Sequence, residues 1–235
     1  MKAHKFWGPL IGFEALAGIV GLTAYRWMRL HPALHAVWPW VLARAAGLGA
    51  YGLLTVLVLL GIGMSHPRWK RGLARPLYGW HRSLALGVFA LIALHGTALA
   101  LDPYAKIPWL GLMIPGLAHY RPLAVGFGVL SAEGLLLIAV TAHGAQNWGR
   151  LKWMTIHRAA LVTWGLALFH SLWSGTDTRS LAVLYEVSAV IVGLATLWRY
   201  GTERAARLSP VRAVNPPPGL PSWNREKRDL REHVD

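Results

Sequence analysis

The sequence predicts an all-α polytopic membrane protein built as a six-helix bundle. Three observations predict it. Of its 235 residues, 54% are hydrophobic and only 14% charged, against about 25% charged in soluble domains. Six apolar segments are each long enough to span a bilayer core of about 30 Å. Many of the 13 tryptophans flank those segments (Trp7, Trp40, Trp80, Trp148, Trp153, Trp173 and Trp198), as interfacial belts do.

The first segment runs Phe6–Tyr25 and carries Glu14. It follows Met1, Lys2 and Lys5 but has no small-x-small cleavage site, so it reads as a retained helix rather than a signal peptide. The second covers Val41–Met64, the third Tyr78–Leu101, the fourth Leu123–Ala142, the fifth Thr155–Trp173 and the sixth Leu181–Tyr200. The net charge of +14 reads as membrane-flanking Lys and Arg, not as a nucleic-acid surface. Arg68, Lys70, Arg71 and Arg75, then Arg150 and Lys152, then Arg199, Arg204, Arg207 and Arg212 fall on one side with Lys2 and Lys5. Arg26, Arg29, Lys106, Arg121 and Arg179 fall on the other, partly offset by Asp102 and Asp177. The bias predicts both termini in the cytoplasm.

The organisation expected is an N-terminal helix and loop over residues 1–40, a helical membrane domain over 41–200, and a polar tail over 201–235. The tail contains the extended run Asn215-Pro216-Pro217-Pro218-Gly219. The connection Asp102–Pro122 is expected to lie on the membrane surface or to cover a site. Cysteine is absent, which removes disulfides, zinc–thiolate sites and iron–sulfur clusters.

Four histidines interrupt the apolar segments in two matched sets: His81 and His95 on the third, His157 and His170 on the fifth. A histidine at membrane depth is costly and is usually kept for a task. The separations of 14 and 13 residues each span roughly 20 Å along a helix. Both segments are odd-numbered and run the same way. His81 and His157 therefore share an inner depth, and His95 and His170 an outer one. Two facing imidazoles can ligate one haem iron axially. The pattern thus predicts two stacked, bis-histidine b haems between the third and fifth helices, with all four histidines as metal ligands. A c-type attachment needs Cys-x-x-Cys-His and is excluded.

Helical geometry suits the first set better than the second. Fourteen steps return to within roughly 40° of the start, whereas thirteen miss by roughly 140°. The fifth helix must then be bent or over-wound, with Gly165 as a candidate position, or its haems lie on different sides. Arg82 and Arg158 follow the inner histidines and are candidates for pairing with haem propionates; positive-inside charge is the simpler reading. Arg44, just inside the second segment, either serves an outer propionate or snorkels to the headgroups. Trp164, midway between His157 and His170, either lies between the haems or packs the core. His4, His31, His35, His66, His119 and His233 are expected to be solvated, and His143 to cap its helix. No catalytic acid, base or nucleophile is nominated.

At these residues the chain resembles the ferric-reductase-like transmembrane superfamily. That group includes ferric reductases, the membrane part of NADPH oxidases, and the haem subunit of the bacterial periplasmic methionine sulfoxide reductase system. The matching pieces are Leu42-Ala43-Arg44-Ala45-Ala46-Gly47-Leu48, Trp80-His81-Arg82, Leu94-His95-Gly96, Trp153-Met154-Thr155-Ile156-His157-Arg158 and Phe169-His170. The resemblance covers about Val41–Tyr200. It implies a di-haem bundle of a bacterial inner membrane, with Arg44 near the haems, relaying electrons to a partner reductase, ferric chelate or oxygen outside. The flavin- and nicotinamide-binding module of the eukaryotic members has no counterpart in the polar tail. The electron donor is therefore expected to be a separate FMN- or FAD-bearing flavoprotein, free flavin or quinol. A quinol-linked anchor subunit with a pocket near His66, Arg71 or Arg75 is the nearest rival. A non-redox haem carrier or small-solute permease is the rival of another class.

Overall fold

The computed structural model describes Thr23, Arg26 and Leu30 and residues 37–66, 74–143, 150–175 and 178–208. Among these the chain is helical, without strands. The helices are α1 (Trp38–Ser65), α2 (Ala74–Leu101), α3 (Pro122–His143), α4 (Arg150–Arg158), α5 (Ala160–Ser174) and α6 (Thr178–Leu208), with a 3₁₀ turn at Trp109–Leu112. Prolines mark several limits. Pro39 sits in the first turn of α1 and Pro122 opens α3, where the missing N–H costs nothing. His66 ends α1 in an extended conformation, as expected of a residue preceding proline, here Pro67.

Four of these helices are long and apolar enough to cross a membrane: α1, then Leu77–Leu101, Pro122–Ala142 and Thr178–Gly201. The first expected segment, Phe6–Tyr25, lies outside the described residues except for Thr23. The fifth segment, expected to be bent or over-wound if its histidines share one side, forms the nine-residue α4 and the fifteen-residue α5, broken at Ala159. Ala159 N–H bonds Ile156 O at 3.0 Å, a tight i→i−3 step. Such steps turn about 120° per residue rather than about 100°. They supply part of the rotation that a 13-residue spacing lacks. Gly165 lies within α5, so the distortion falls six residues before the glycine that was its candidate.

The chain divides into a first unit ending at Thr196 and a second from Leu197. Within the first, α1 packs along α2, α3 along α5, and α1 also meets α5. Leu54, Leu57, Val58, Ile62, Val88, Leu135, Trp164, Tyr185 and Val192 form its core. Lipid tails are as apolar as leucine, so close approach at small residues carries helix association in a bilayer. Here Gly49 faces Leu91 and Gly87 faces Leu53 across α1 and α2. Ser131 Oγ donates to Thr163 O at 2.8 Å between α3 and α5. Leu86, Val140, Val162 and Val183 point outward and are exposed, as lipid-facing residues are. Hydroxyls within the apolar helices find carbonyls of their own turn, such as Thr55 with Tyr51 O and Thr141 with Leu137 O, so they carry no unsatisfied donor. In the second unit, Arg199 lies over the ring of Tyr200.

A Cβ at Gly134 would stand 2.5 Å from Thr163 Cγ2, whereas one at Gly165 would meet nothing within 4 Å. Gly134→Ala is expected to destabilise the α3–α5 pair by about 1–3 kcal/mol through overpacking. Gly165→Ala is expected to be neutral or to stabilise by up to about 1 kcal/mol. Thermal unfolding of the two variants in one detergent compares them directly.

Candidate functional site

The structure brings the four helical histidines together two by two. The rings of His81 and His157 lie 6.1 Å apart between centroids, and those of His95 and His170 also 6.1 Å apart. The inner pair joins α2 to α4 and the outer pair joins α2 to α5. The break at Ala159 therefore falls between the two contributions from the fifth segment. An imidazole nitrogen binds a first-row metal at about 2 Å and lies about 1.1 Å from its ring centroid, so two rings sharing one metal stand roughly 6 Å apart. Both separations fit that requirement. The interplanar angles are 55° for the inner pair and 84° for the outer.

The two pairs differ in how their second nitrogens are satisfied. His95 Nδ1 lies 2.6 Å from Ala43 O on α1, and His170 Nδ1 lies 2.8 Å from Ala124 O on α3. A carbonyl only accepts, so each Nδ1 carries the proton and donates, and each Nε2 is left with its lone pair. Ser174 Oγ is a second neighbour of His170 Nδ1 at 3.0 Å, and it also bonds the His170 carbonyl. In the inner pair, Nδ1 of His81 and Nδ1 of His157 are buried with no hydrogen-bond partner among the described residues. Trp153 lies against His157, centroid to centroid 5.1 Å. Buried unpaired nitrogens on two facing imidazoles need an account, and a bound group that both rings contact would give one.

The outer pair opens onto a cavity of about 580 Å³ lined by α1, α2, α3, α5, α6 and the Asp102–Arg121 connection. Its size lies in the range of small-molecule and cofactor sites, about 300–1,000 Å³. His95, His170 and Arg44 line it together with aliphatic side chains and with Tyr51, Tyr104 and Tyr120. The connection borders this space. Trp109, Leu112 and Met113 line it, with Trp109 and Met113 more than half exposed, while Ile107 and Ala118 are buried against Val125 and Val129. Asp102 sets the course of the loop. Its carboxylate accepts from Tyr104 N–H at 3.2 Å and Ala105 N–H at 3.1 Å. At the far end Arg121 donates to Trp173 O at 2.6 Å, which ties the loop to the end of α5.

The remaining expected site residues fall into place unequally. Arg44 lines the cavity with its guanidinium over the Trp40 ring at 4.8 Å. Arg82 and Arg158 are exposed beside the inner histidines. Trp164 is a core residue: it stacks on Tyr51 at 6.3 Å and donates to Thr55 Oγ1 at 3.0 Å, and it does not line the cavity. His66, expected to be solvated, is instead 1% exposed. It follows the last turn of α1, and the cap that ends that helix draws it inward. His119 is exposed. His4, His31, His35 and His233, Glu14 and Arg71 lie outside the described residues, as do the side chains of Arg75 and His143. Among the described residues no three His, Asp or Glu side chains gather as a metal-binding group.

Sequence reasoning missed the carbonyls of Ala43 and Ala124 as partners, and Ser174, Tyr51, Tyr185 and Asp102 as site residues. A carbonyl has no signature in residue identity. Asp102 before Pro103 was a legible turn signal. Replacing Asp102 with alanine leaves the Tyr104 and Ala105 amides without their acceptor. The loop is expected to open locally at a cost of about 1–3 kcal/mol, read as faster hydrogen exchange of those two amides, with Asp102→Asn intermediate. Compared with models of known families, with curated proteins and with solved structures, the chain matches none.

Proposed function

We propose that the protein is a di-haem b-type membrane cytochrome that relays electrons across a bacterial inner membrane. The observation that carries the reading is the recurrence of one arrangement: two pairs of imidazoles, each at 6.1 Å centroid separation, joining α2 to the two halves of the fifth segment. The resemblance of the motifs around these histidines to the ferric-reductase-like superfamily is in keeping with it. The proposed topology is six spans with both termini cytoplasmic, the broken α4–α5 segment serving as the fifth span and Phe6–Tyr25 as the first.

In this reading His81 with His157, and His95 with His170, hold the two haems. Haem, if bound there, would supply one-electron chemistry. The chain's own residues supply the rest. Ala43 and Ala124 hold the outer imidazoles through Nδ1, leaving Nε2 as the ligand atom. Arg44 brings a positive charge to the outer cavity, suited to propionate carboxylates, and Arg82 and Arg158 do so at the inner end. The aliphatic and aromatic lining and the Asp102–Arg121 loop keep water from the outer site. Trp164, Tyr51 and Tyr185 fill the space between the two depths with packed aromatic rings. No side chain is required as acid, base or nucleophile. The donor is a separate flavoprotein, free flavin or quinol, and the acceptor an extracytoplasmic partner reductase, ferric chelate or oxygen.

A reduced-minus-oxidised optical spectrum with pyridine haemochrome quantitation tests the reading. Detergent-purified protein is expected to carry about two b haems per chain, and His81→Ala and His95→Ala to lose one each, since each removes one axial ligand. Folded protein without haem would sink the proposal and leave a permease-like role in its place.

A further inference from the structure

Each outer imidazole reaches a carbonyl on a neighbouring helix, and in both cases a glycine stands four residues beyond that carbonyl. His95 bonds Ala43 O, and Gly47 follows on α1. His170 bonds Ala124 O, and Gly128 follows on α3. Cβ atoms lean towards the helix N-terminus, so a side chain at i+4 overhangs the carbonyl at i. Only glycine leaves that carbonyl open from the side. A Cβ at Gly47 would stand 2.8 Å from His95 Nδ1 and 2.9 Å from Cε1; one at Gly128 would stand 2.6 Å from His170 Nδ1 and 2.8 Å from Cε1. These clashes are with rings held between helices, not with flexible side-chain ends. The inner pair has no such device. Gly61, 14 residues after Gly47 as His81 is 14 before His95, would bring its Cβ only to 3.5 Å from His81 Cε1, an ordinary contact.

We propose that Ala43–Gly47 and Ala124–Gly128 are matched positioning steps, one for each helix that carries an outer histidine, that fix the outer imidazoles with Nδ1 donating and so keep the Nε2 lone pair for a ligand. The proposal rests on the haem reading above. An imidazole that donates from Nδ1 is a more basic ligand at Nε2. It favours the oxidised metal and lowers the potential of its site. Alanine at either glycine displaces the ring from its carbonyl and weakens that bond, so the potential of the outer site alone rises.

The test is an optical redox titration, with electron paramagnetic resonance of the oxidised form, on purified holoprotein carrying Gly47→Ala, Gly128→Ala, Gly61→Ala or His95→Ala. The component lost in His95→Ala is expected to move to higher potential, with a changed low-spin signature, in both Gly47→Ala and Gly128→Ala. Gly61→Ala is expected to leave both components in place. An outer component that ignores both alanines, or a shift as large in Gly61→Ala, overturns the proposal while the haem reading stands. Absence of haem from folded wild-type protein defeats that reading and the proposal with it. Nitrogen-15 spectra of histidine-labelled, reduced wild-type protein give a result that does not depend on variants folding. Two of the membrane imidazoles should keep their Nδ1 protons against deuterium exchange, and four that exchange alike would overturn the proposal.

Discussion

The arrangement depends on the hydrogen bond from an imidazole Nδ1 to a backbone carbonyl of another helix. Inside a bilayer no water is at hand to satisfy a polar nitrogen, and a helix interior has already engaged its own carbonyls. A second acceptor site exists because a carbonyl has two lone pairs. His95 and His170 use it on α1 and α3. Each bond fixes a tautomer, an orientation and a helix contact together. Both rings line the outer cavity.

That bond also orders the helices. α1 runs along α2 and α3 along α5, so each histidine-bearing helix has a companion of small residues. The companion gives its carbonyl and a glycine; the ligand helix gives the ring. The two halves approach one another at the histidine pairs and at the aromatic layer of Tyr51, Trp164 and Tyr185. In that layer Tyr51 and Ser188 join hydroxyls and Trp164 reaches Thr55. The hydroxyls of Tyr51, Ser188 and Thr55 and the Trp164 indole N–H are thereby paired with one another.

Much of this was legible in the sequence, for definite reasons. The apolar runs over Val41–Met64, Tyr78–Leu101, Leu123–Ala142 and Leu181–Tyr200 became helices, the first three within a few residues of their limits and the last running on to Leu208, because lipid-compatible stretches leave the backbone few alternatives. The face shared by His81 and His95 followed from helical period, and the strain in a 13-residue spacing announced a distortion before His170. Its place was not readable. Gly165 has helix-breaking composition but sits in a regular turn, while Ala159, a strong helix former, takes the tight step that lies between His157 and His170. Tertiary demand overrode local propensity there. His66 was misjudged because its position at a helix end suggested solvent. The carbonyl partners were invisible, since alanine at 43 or 124 names nothing about what approaches its backbone.

The break at Ala159 has a geometric consequence. With α4 and α5 joined at a single tight step at Ala159, the phase of α5 differs from that of an unbroken helix. His157 takes its direction from α4 and His170 from α5, where Ala124 and Ser174 hold its ring.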